Sequence, residues 1–292
     1  MGILTVMVGM SAAADEVRQP GPIGTPAGKE RMQLHWVPMI VSGQVRDDVI
    51  QMRVCRPPTE DSVGIAVVNH GSPPNANERP KMTPTSCTSG VARYFLGRNL
   101  AVAFPLRRGY GASGGDWAEE YGPCNRPSYG RAGLASAADI GSAVAYLRGL
   151  PYIQGDRIMI FGQSAGGWAT TAYASLSPQN IFALVNFAGG RGGHNKGQPN
   201  NNCRSDLLIE AAGEYGRTAR QPMLWIYTEN DSYFDPKVSG SMHVAFTRAG
   251  GRAQYRLLGA WGKDGHNLFL GNDGLKTWGP LIDDYLQSLG TP

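Results

Sequence analysis

Gly162-Gln163-Ser164-Ala165-Gly166 decides how the rest of this sequence is read. Before it, Arg157-Ile158-Met159-Ile160-Phe161 is a short apolar run expected to form a buried strand. After it, Gly167-Trp168-Ala169-Thr170-Thr171-Ala172-Tyr173-Ala174 predicts a helix built mostly of small residues. Gly-x-Ser-x-Gly between a strand and a helix is the context of a nucleophile elbow. Such a turn lifts the serine Oγ off the strand end and strains the backbone at the serine. It leaves no room for a Cβ two positions either side, so glycine suits 162 and 166. The following helix aims its first N–H groups at the same point, where negative charge is welcome.

Working outward, apolar strands are expected at Val63–Asn69, Leu100–Pro105, Ile181–Phe187, Pro222–Tyr227 and Gln254–Leu258. Helices are expected at about 86–99, 130–150, 205–215, 236–249 and 278–289, with Leu134, Ala138, Val144 and Leu147 giving the second its 3.6-residue period. Strands alternating with helices predict an α/β fold, a mostly parallel sheet with helices on both faces. Ahead of them, Asp15–Glu30 reads as an extended arm. Arg31–Val41 and Val49–Arg56 read as antiparallel strands joined by a turn over Gln44–Asp48.

The 292 residues, 41% hydrophobic and 17% charged, suit one large α/β domain over 15–292. The net charge of +4 is scattered, with no Lys/Arg run, so neither nucleic acid nor a membrane is an expected partner. Ile3–Met10 is apolar but too short to span a bilayer. Ser11-Ala12-Ala13-Ala14 then offers an Ala-x-Ala cleavage site, so residues 1–14 read as a signal peptide despite lacking a basic start. That places the protein outside the cell or in the periplasm; if 1–14 is only a tail, it is cytoplasmic. Four cysteines, Cys55, Cys87, Cys124 and Cys203, are an even set with no CxxC spacing, which fits two disulfides and export. No histidine–carboxylate cluster has metal-ligand spacing, so no metal or other cofactor is expected.

In open α/β sheets, sites lie beyond the C-terminal ends of the strands. There the chain places Ser164, then Asp231, then His266. His266 would take the serine proton and return it to the leaving group, and Asp231 would hold the imidazole tautomer. Glu229, Asp235 and Asp206 are competing carboxylates. His35 and His243 read as non-catalytic; His194, in the loop Ala188–Asn202, reads as a solvated loop histidine, with substrate contact as the alternative.

Five pieces carry a resemblance: His70-Gly71-Ser72-Pro73; Arg107-Arg108-Gly109-Tyr110-Gly111-Ala112-Ser113-Gly114; the serine elbow; Glu229-Asn230-Asp231; and Asp264-Gly265-His266-Asn267-Leu268-Phe269. Together they resemble the α/β-hydrolase superfamily and, within it, its dienelactone-hydrolase-like branch. The resemblance runs from Val63 to Phe269 and implies the α/β-hydrolase fold. It also implies the triad order Ser-Asp-His and an oxyanion hole made by the backbone N–H groups of Ser72 and Ala165. His70 would then fix its loop rather than act as a base. Arg108, Tyr110 and Trp168 are candidates for substrate contact, with a structural role as the alternative for Arg108. Dienelactone hydrolases proper use a cysteine nucleophile; Ser164 stands here instead, which argues for ordinary serine esterase chemistry.

The implied activity is hydrolysis of a small-molecule carboxylic ester through an acyl-enzyme on Ser164. An oligopeptidase-like serine peptidase is the alternative. Those enzymes carry a large extra domain, for which 292 residues leave no room. A non-catalytic binding protein of this fold would typically lack a triad member, and none is lacking. The ester stays unspecified, because loops 72–84, 111–126 and 189–202 would shape the pocket and are rich in Gly, Pro and Asn. Oligomeric state is not legible. In this fold the loops on the catalytic edge gather around the nucleophile. Cys124 and Cys203 belong to such loops, so they are expected to pair, leaving Cys55 with Cys87.

Overall fold

Val63–Asn69 is apolar along nearly its whole length, and a strand of that kind must be covered on both faces. In the computed structural model, which describes residues 18–271 and 273–290, this strand is buried throughout. The strands are β1 (Gly21–Ala27), β2 (Met32–Val41), β3 (Gln44–Cys55), β4 (Val63–Asn69), β5 (Ala101–Pro105), β6 (Ile153–Gln163), β7 (Ile181–Phe187), β8 (Met223–Thr228) and β9 (Ala253–Leu258). They form one sheet in the order β1-β2-β3-β5-β4-β6-β7-β8-β9. The three pairings at the β1 end are antiparallel and all the others are parallel. The helices are α1 (Gly90–Leu96), α2 (Tyr129–Arg148), α3 (Ala165–Ser175), α4 (Ser205–Gly216), α5 (Pro236–Arg248) and α6 (Leu275–Ser288).

Two apolar cores result, one per face. Ala137, Ala169, Leu208 and Phe246 bring α2 to α5 onto one face; Phe95 and Trp278 bring α1 and α6 onto the other. The mostly parallel sheet with helices on both faces is the α/β arrangement that the alternating sequence pattern predicts. The four cysteines pair as Cys55–Cys87 and Cys124–Cys203, as the loop placement leads one to expect. Among the described residues no helix is long and apolar enough to cross a membrane. The signal peptide expected over residues 1–14 lies outside the described residues.

Three local expectations are corrected. The arm contains β1, paired antiparallel with β2 at the edge of the sheet. The hairpin turn is Ser42-Gly43, both at positive φ (52° and 76°), so β3 begins at Gln44. A two-residue turn of that hand matches strand twist, whereas the polar run Gln44–Asp48 extends the strand into solvent. Leu134 is 42% exposed: α2 buries Ala132, Ala137, Ile140, Val144 and Leu147, and Leu134 falls outside that stripe.

Candidate active site

β6 delivers Ser164 at a strained backbone position, φ 56° and ψ −120°, with α3 starting at the next residue. The strain belongs to the turn, and the glycines on either side are sterically required. A Cβ at Gly162 would lie 2.1 Å from the Gly166 carbonyl oxygen; one at Gly166 would lie 2.2 Å from that of Asn69. The Ser164 N–H donates to the Phe187 carbonyl (3.0 Å), and its own carbonyl accepts from Trp168 N–H (2.9 Å) and Gly190 N–H (3.3 Å). The hydroxyl stays at the surface of a cleft while its backbone is held from both sides.

Asp231 lies just past β8. Its Oδ1 accepts the N–H groups of Tyr233 (2.8 Å) and Phe234 (3.0 Å), which orients the carboxylate. His266 lies past β9, and its Nδ1 is 3.0 and 3.1 Å from the two Asp231 oxygens. A carboxylate only accepts, so Nδ1 carries the proton and Nε2 presents a lone pair. Both residues are buried. The histidine backbone is fixed in turn: Asp264 Oδ1 accepts its N–H (3.0 Å), and Gln163 Nε2 donates to its carbonyl (2.9 Å). The Tyr233 ring stacks on the imidazole at 4.1 Å between centroids. Ser164 and His266 border a common cavity of about 430 Å³. No hydrogen bond joins them; such bonds commonly tighten only around a substrate.

The competing carboxylates stand elsewhere. Asp206 makes an exposed 2.6 Å ion pair with Arg204, Asp235 caps α5 at Val238 N–H (2.8 Å), and Glu229 is exposed. Ser72 and Ala165 both border a second cavity of about 320 Å³ beside Ser164, and neither N–H meets an acceptor among the described residues. His70 behaves as a loop anchor. Its Nε2 accepts from Arg107 N–H (3.2 Å) and its Nδ1 donates to Gly71 O (2.7 Å). Burial, with Arg107 beside it, pushes its pKa down to about 3, so it is neutral.

Of the three candidate substrate contacts, none of Trp168, Arg108 and Tyr110 borders either cavity at Ser164; Trp168 and Tyr110 are corrected, and Arg108 takes its structural alternative. Trp168 is one turn into α3, which rotates it into the core; its Nε1 donates to Tyr129 O (3.0 Å). Arg108 turns to α2, where its Nε meets Asp139 Oδ1 at 2.8 Å. Tyr110 is wholly buried behind the Ser72 loop. Sequence reasoning missed Glu119 and Arg191, and read His194 as a solvated loop histidine before a substrate contact. Arg191 and His194 border the 320 Å³ cavity, and Glu119 is buried behind it. An arginine set among Gly189, Gly190, Gly192 and Gly193 is a signal that could have been followed; Glu119, in an irregular polar segment, offers none. Among the described residues no group of three or more His, Cys, Asp or Glu is placed to hold a metal ion.

Residues 88–198 match the model of the prolyl oligopeptidase family. No curated protein sequence matches the chain. Several solved structures are similar in fold. The acylaminoacyl peptidase of Pyrococcus horikoshii is 14% identical, with 93% of this chain and 50% of that one covered and a TM-score of 0.60. This chain therefore spans about half the length of that peptidase. Acetyl xylan esterase 1 of Thermoanaerobacterium sp. is 13% identical, with 94% and 89% covered and a TM-score of 0.57. A Klebsiella pneumoniae protein assigned as a dienelactone hydrolase is 13% identical, with 88% and 99% covered and a TM-score of 0.56. With the sheet order, the elbow and these neighbours together, the chain has the α/β-hydrolase fold.

Proposed function

We propose that the chain is a serine hydrolase that cleaves a carboxylic ester through an acyl-enzyme on Ser164. The observation that carries this reading is the Asp231–His266 pair, 3.0 Å apart, beside a serine on a strained elbow. His266 Nε2 takes the Ser164 proton as Oγ bonds to the substrate carbonyl carbon. The carbonyl oxygen becomes an oxyanion facing the N–H groups of Ser72 and Ala165. Collapse breaks the ester C–O bond, and His266 passes its proton to the departing alkoxide. Water, deprotonated by His266, then attacks the acyl-enzyme and releases the acid and Ser164. Because His266 must reach the leaving oxygen, the 430 Å³ cavity that it borders takes the alcohol part. The 320 Å³ cavity, bordered by Ala165 and Arg191, takes the acyl part. The two disulfides fit a secreted or periplasmic protein.

A peptidase reading has support of its own. The match over residues 88–198 is to prolyl oligopeptidases, and a similar structure is an acylaminoacyl peptidase. The same three residues would serve amide cleavage. A fluorophosphonate probe should label Ser164, and p-nitrophenyl esters of rising acyl length should be hydrolysed faster than a matched aryl amide. No labelling of Ser164 overturns the serine mechanism; faster amide cleavage favours the peptidase.

A further inference from the structure

The deepest charges near Ser164 are not used by the triad. Glu119 lies between β5 and α2, in a segment with neither helix nor strand, yet it is 0% exposed. It accepts hydrogen bonds from Arg107, Arg191 and the Tyr110 hydroxyl, the last at 2.8 Å. Both guanidiniums are buried as well. Burial opposes ionisation of Glu119, but Arg107 and Arg191 outweigh it and hold the carboxyl well below the usual carboxylate range.

Each partner reaches a second loop. Arg107 Nη1 donates to His70 O (2.8 Å), and its backbone N–H donates to His70 Nε2 (3.2 Å). The Tyr110 hydroxyl also bonds Ser72 Oγ (2.9 Å). Arg191 borders the acyl-side cavity, and its neighbour Gly190 donates to the Ser164 carbonyl (3.3 Å). One carboxylate therefore ties the His70–Ser72 loop and the Gly190–Arg191 loop to a single point beside the nucleophile. Taking such ions out of water costs several kcal/mol each, and apolar side chains often fill such space with equal or better stability. Stability alone does not account for the cluster. An oxyanion hole does ask for this kind of support, since its donors must stand within about 0.5 Å of the working position.

We propose that Glu119 is a positioning residue for the oxyanion hole: through Tyr110 and Arg107 it sets where the Ser72 N–H stands relative to Ser164. This rests on the serine hydrolase reading above.

The test measures kcat and KM on a p-nitrophenyl ester, with kcat expressed per site titrated by fluorophosphonate. It adds the affinity for a boronic acid, whose tetrahedral adduct carries the negative charge. Glu119→Gln should lower kcat by about 10²–10³-fold, the cost of a lost oxyanion donor. KM should change by less than about threefold, and boronate affinity should fall in parallel with kcat. Tyr110→Phe removes one link and should cost about tenfold. The double variant should lose little beyond Glu119→Gln, because both act through one network. A merely structural role would lower Tm or the number of titratable sites and leave kcat per site and boronate affinity unchanged. That result overturns the proposal, as does a loss confined to KM. Should Glu119→Gln not fold, Tyr110→Phe decides: unchanged kcat per site refutes the link. A wild-type protein that is not labelled at all removes the hydrolase reading and this proposal with it. That outcome is distinct from an active enzyme whose variants keep kcat.

Discussion

The turn from β6 into α3 and the loops over residues 106–128 and 188–204 all meet at Ser164, but different forces hold them. The turn is continuous in sequence. Its strand is buried from Met159 to Gln163, its helix is buried from Ala165 to Ala174, and Gly162 and Gly166 let the two close on each other. The loops have almost no regular structure. They are fastened by the Arg107–Glu119–Arg191 cluster and by Cys124–Cys203. Backbone packing can hold a side chain such as that of Ser164 to a fraction of an ångström. Irregular loops that must expose a pocket cannot bury enough apolar surface to do so, and charge and sulfur take over.

The comparison breaks first at Ser164. Ser164→Ala should leave the fold intact and lower activity by roughly 10⁵–10⁶-fold. Activity near wild type would mean that the elbow is only a turn. Asp231→Asn should lower kcat by roughly 10³–10⁴-fold at little cost in Tm. Asp206→Asn should change neither, because its ion pair with Arg204 is exposed. If the two results were exchanged, the acid would follow β7 and the geometry at His266 would be incidental.

Gly166→Ala tests the turn itself. Its Cβ would strike the Asn69 carbonyl at 2.2 Å, so a loss of roughly 1–3 kcal/mol in stability is expected, together with a loss of activity. A variant of wild-type Tm and kcat would show that the elbow tolerates a side chain there.

The disulfides sharpen the contrast. They span 32 and 79 residues, and chain entropy assigns roughly 4 kcal/mol to each, so loop length hardly separates them. Location does. Cys55 and Cys87 sit in the core that α1 and α6 cover, whereas Cys124–Cys203 joins two pocket loops. Cys124→Ser/Cys203→Ser should lower activity before it unfolds the core. Cys55→Ser/Cys87→Ser should lower Tm with activity per folded molecule retained. Equal effects on both readouts would erase the distinction.

The last contrast is in acid stability. The elbow Gly162–Gly166 carries no titratable side chain, whereas the loops around it carry His70 and Glu119. His70 has a pKa of about 3 in the folded protein and near 6.5 when unfolded, so the unfolded chain binds more protons between those values. Stability is therefore lost as pH falls through that window. Glu119, also depressed, adds a loss at the lower end, once the unfolded carboxylate protonates. Tm should fall steadily from pH 7 to pH 4. Outside these loops, buried His35, its pKa depressed to about 4, adds to the fall, and buried Asp139, raised to about 6, opposes it. A flat profile would mean that Asp139 offsets the two histidines.

The sequence by itself determined whatever depends on neighbours along the chain. Apolar runs of strand length, helical periods between them and glycines two places either side of Ser164 are local facts with local consequences. From them came the parallel sheet and the elbow; the strand ends offered several carboxylates, and the family resemblance then picked out Asp231 and His266. The cysteine pairing was legible for a related reason: Cys124 and Cys203 both sit on loops of the edge where the strands end. Tertiary structure alone decided which way the loop side chains face. Arg107 and Arg108 are adjacent and similar, yet one turns inward to Glu119 and the other to Asp139 on α2. Tyr110 and Trp168 were expected at the pocket and are packed behind it, whereas Arg191 is at its wall. Such outcomes follow from partners as far as 72 positions away. No period or spacing records those partners, because an irregular loop takes its shape from whatever charge and volume meets it in the folded molecule.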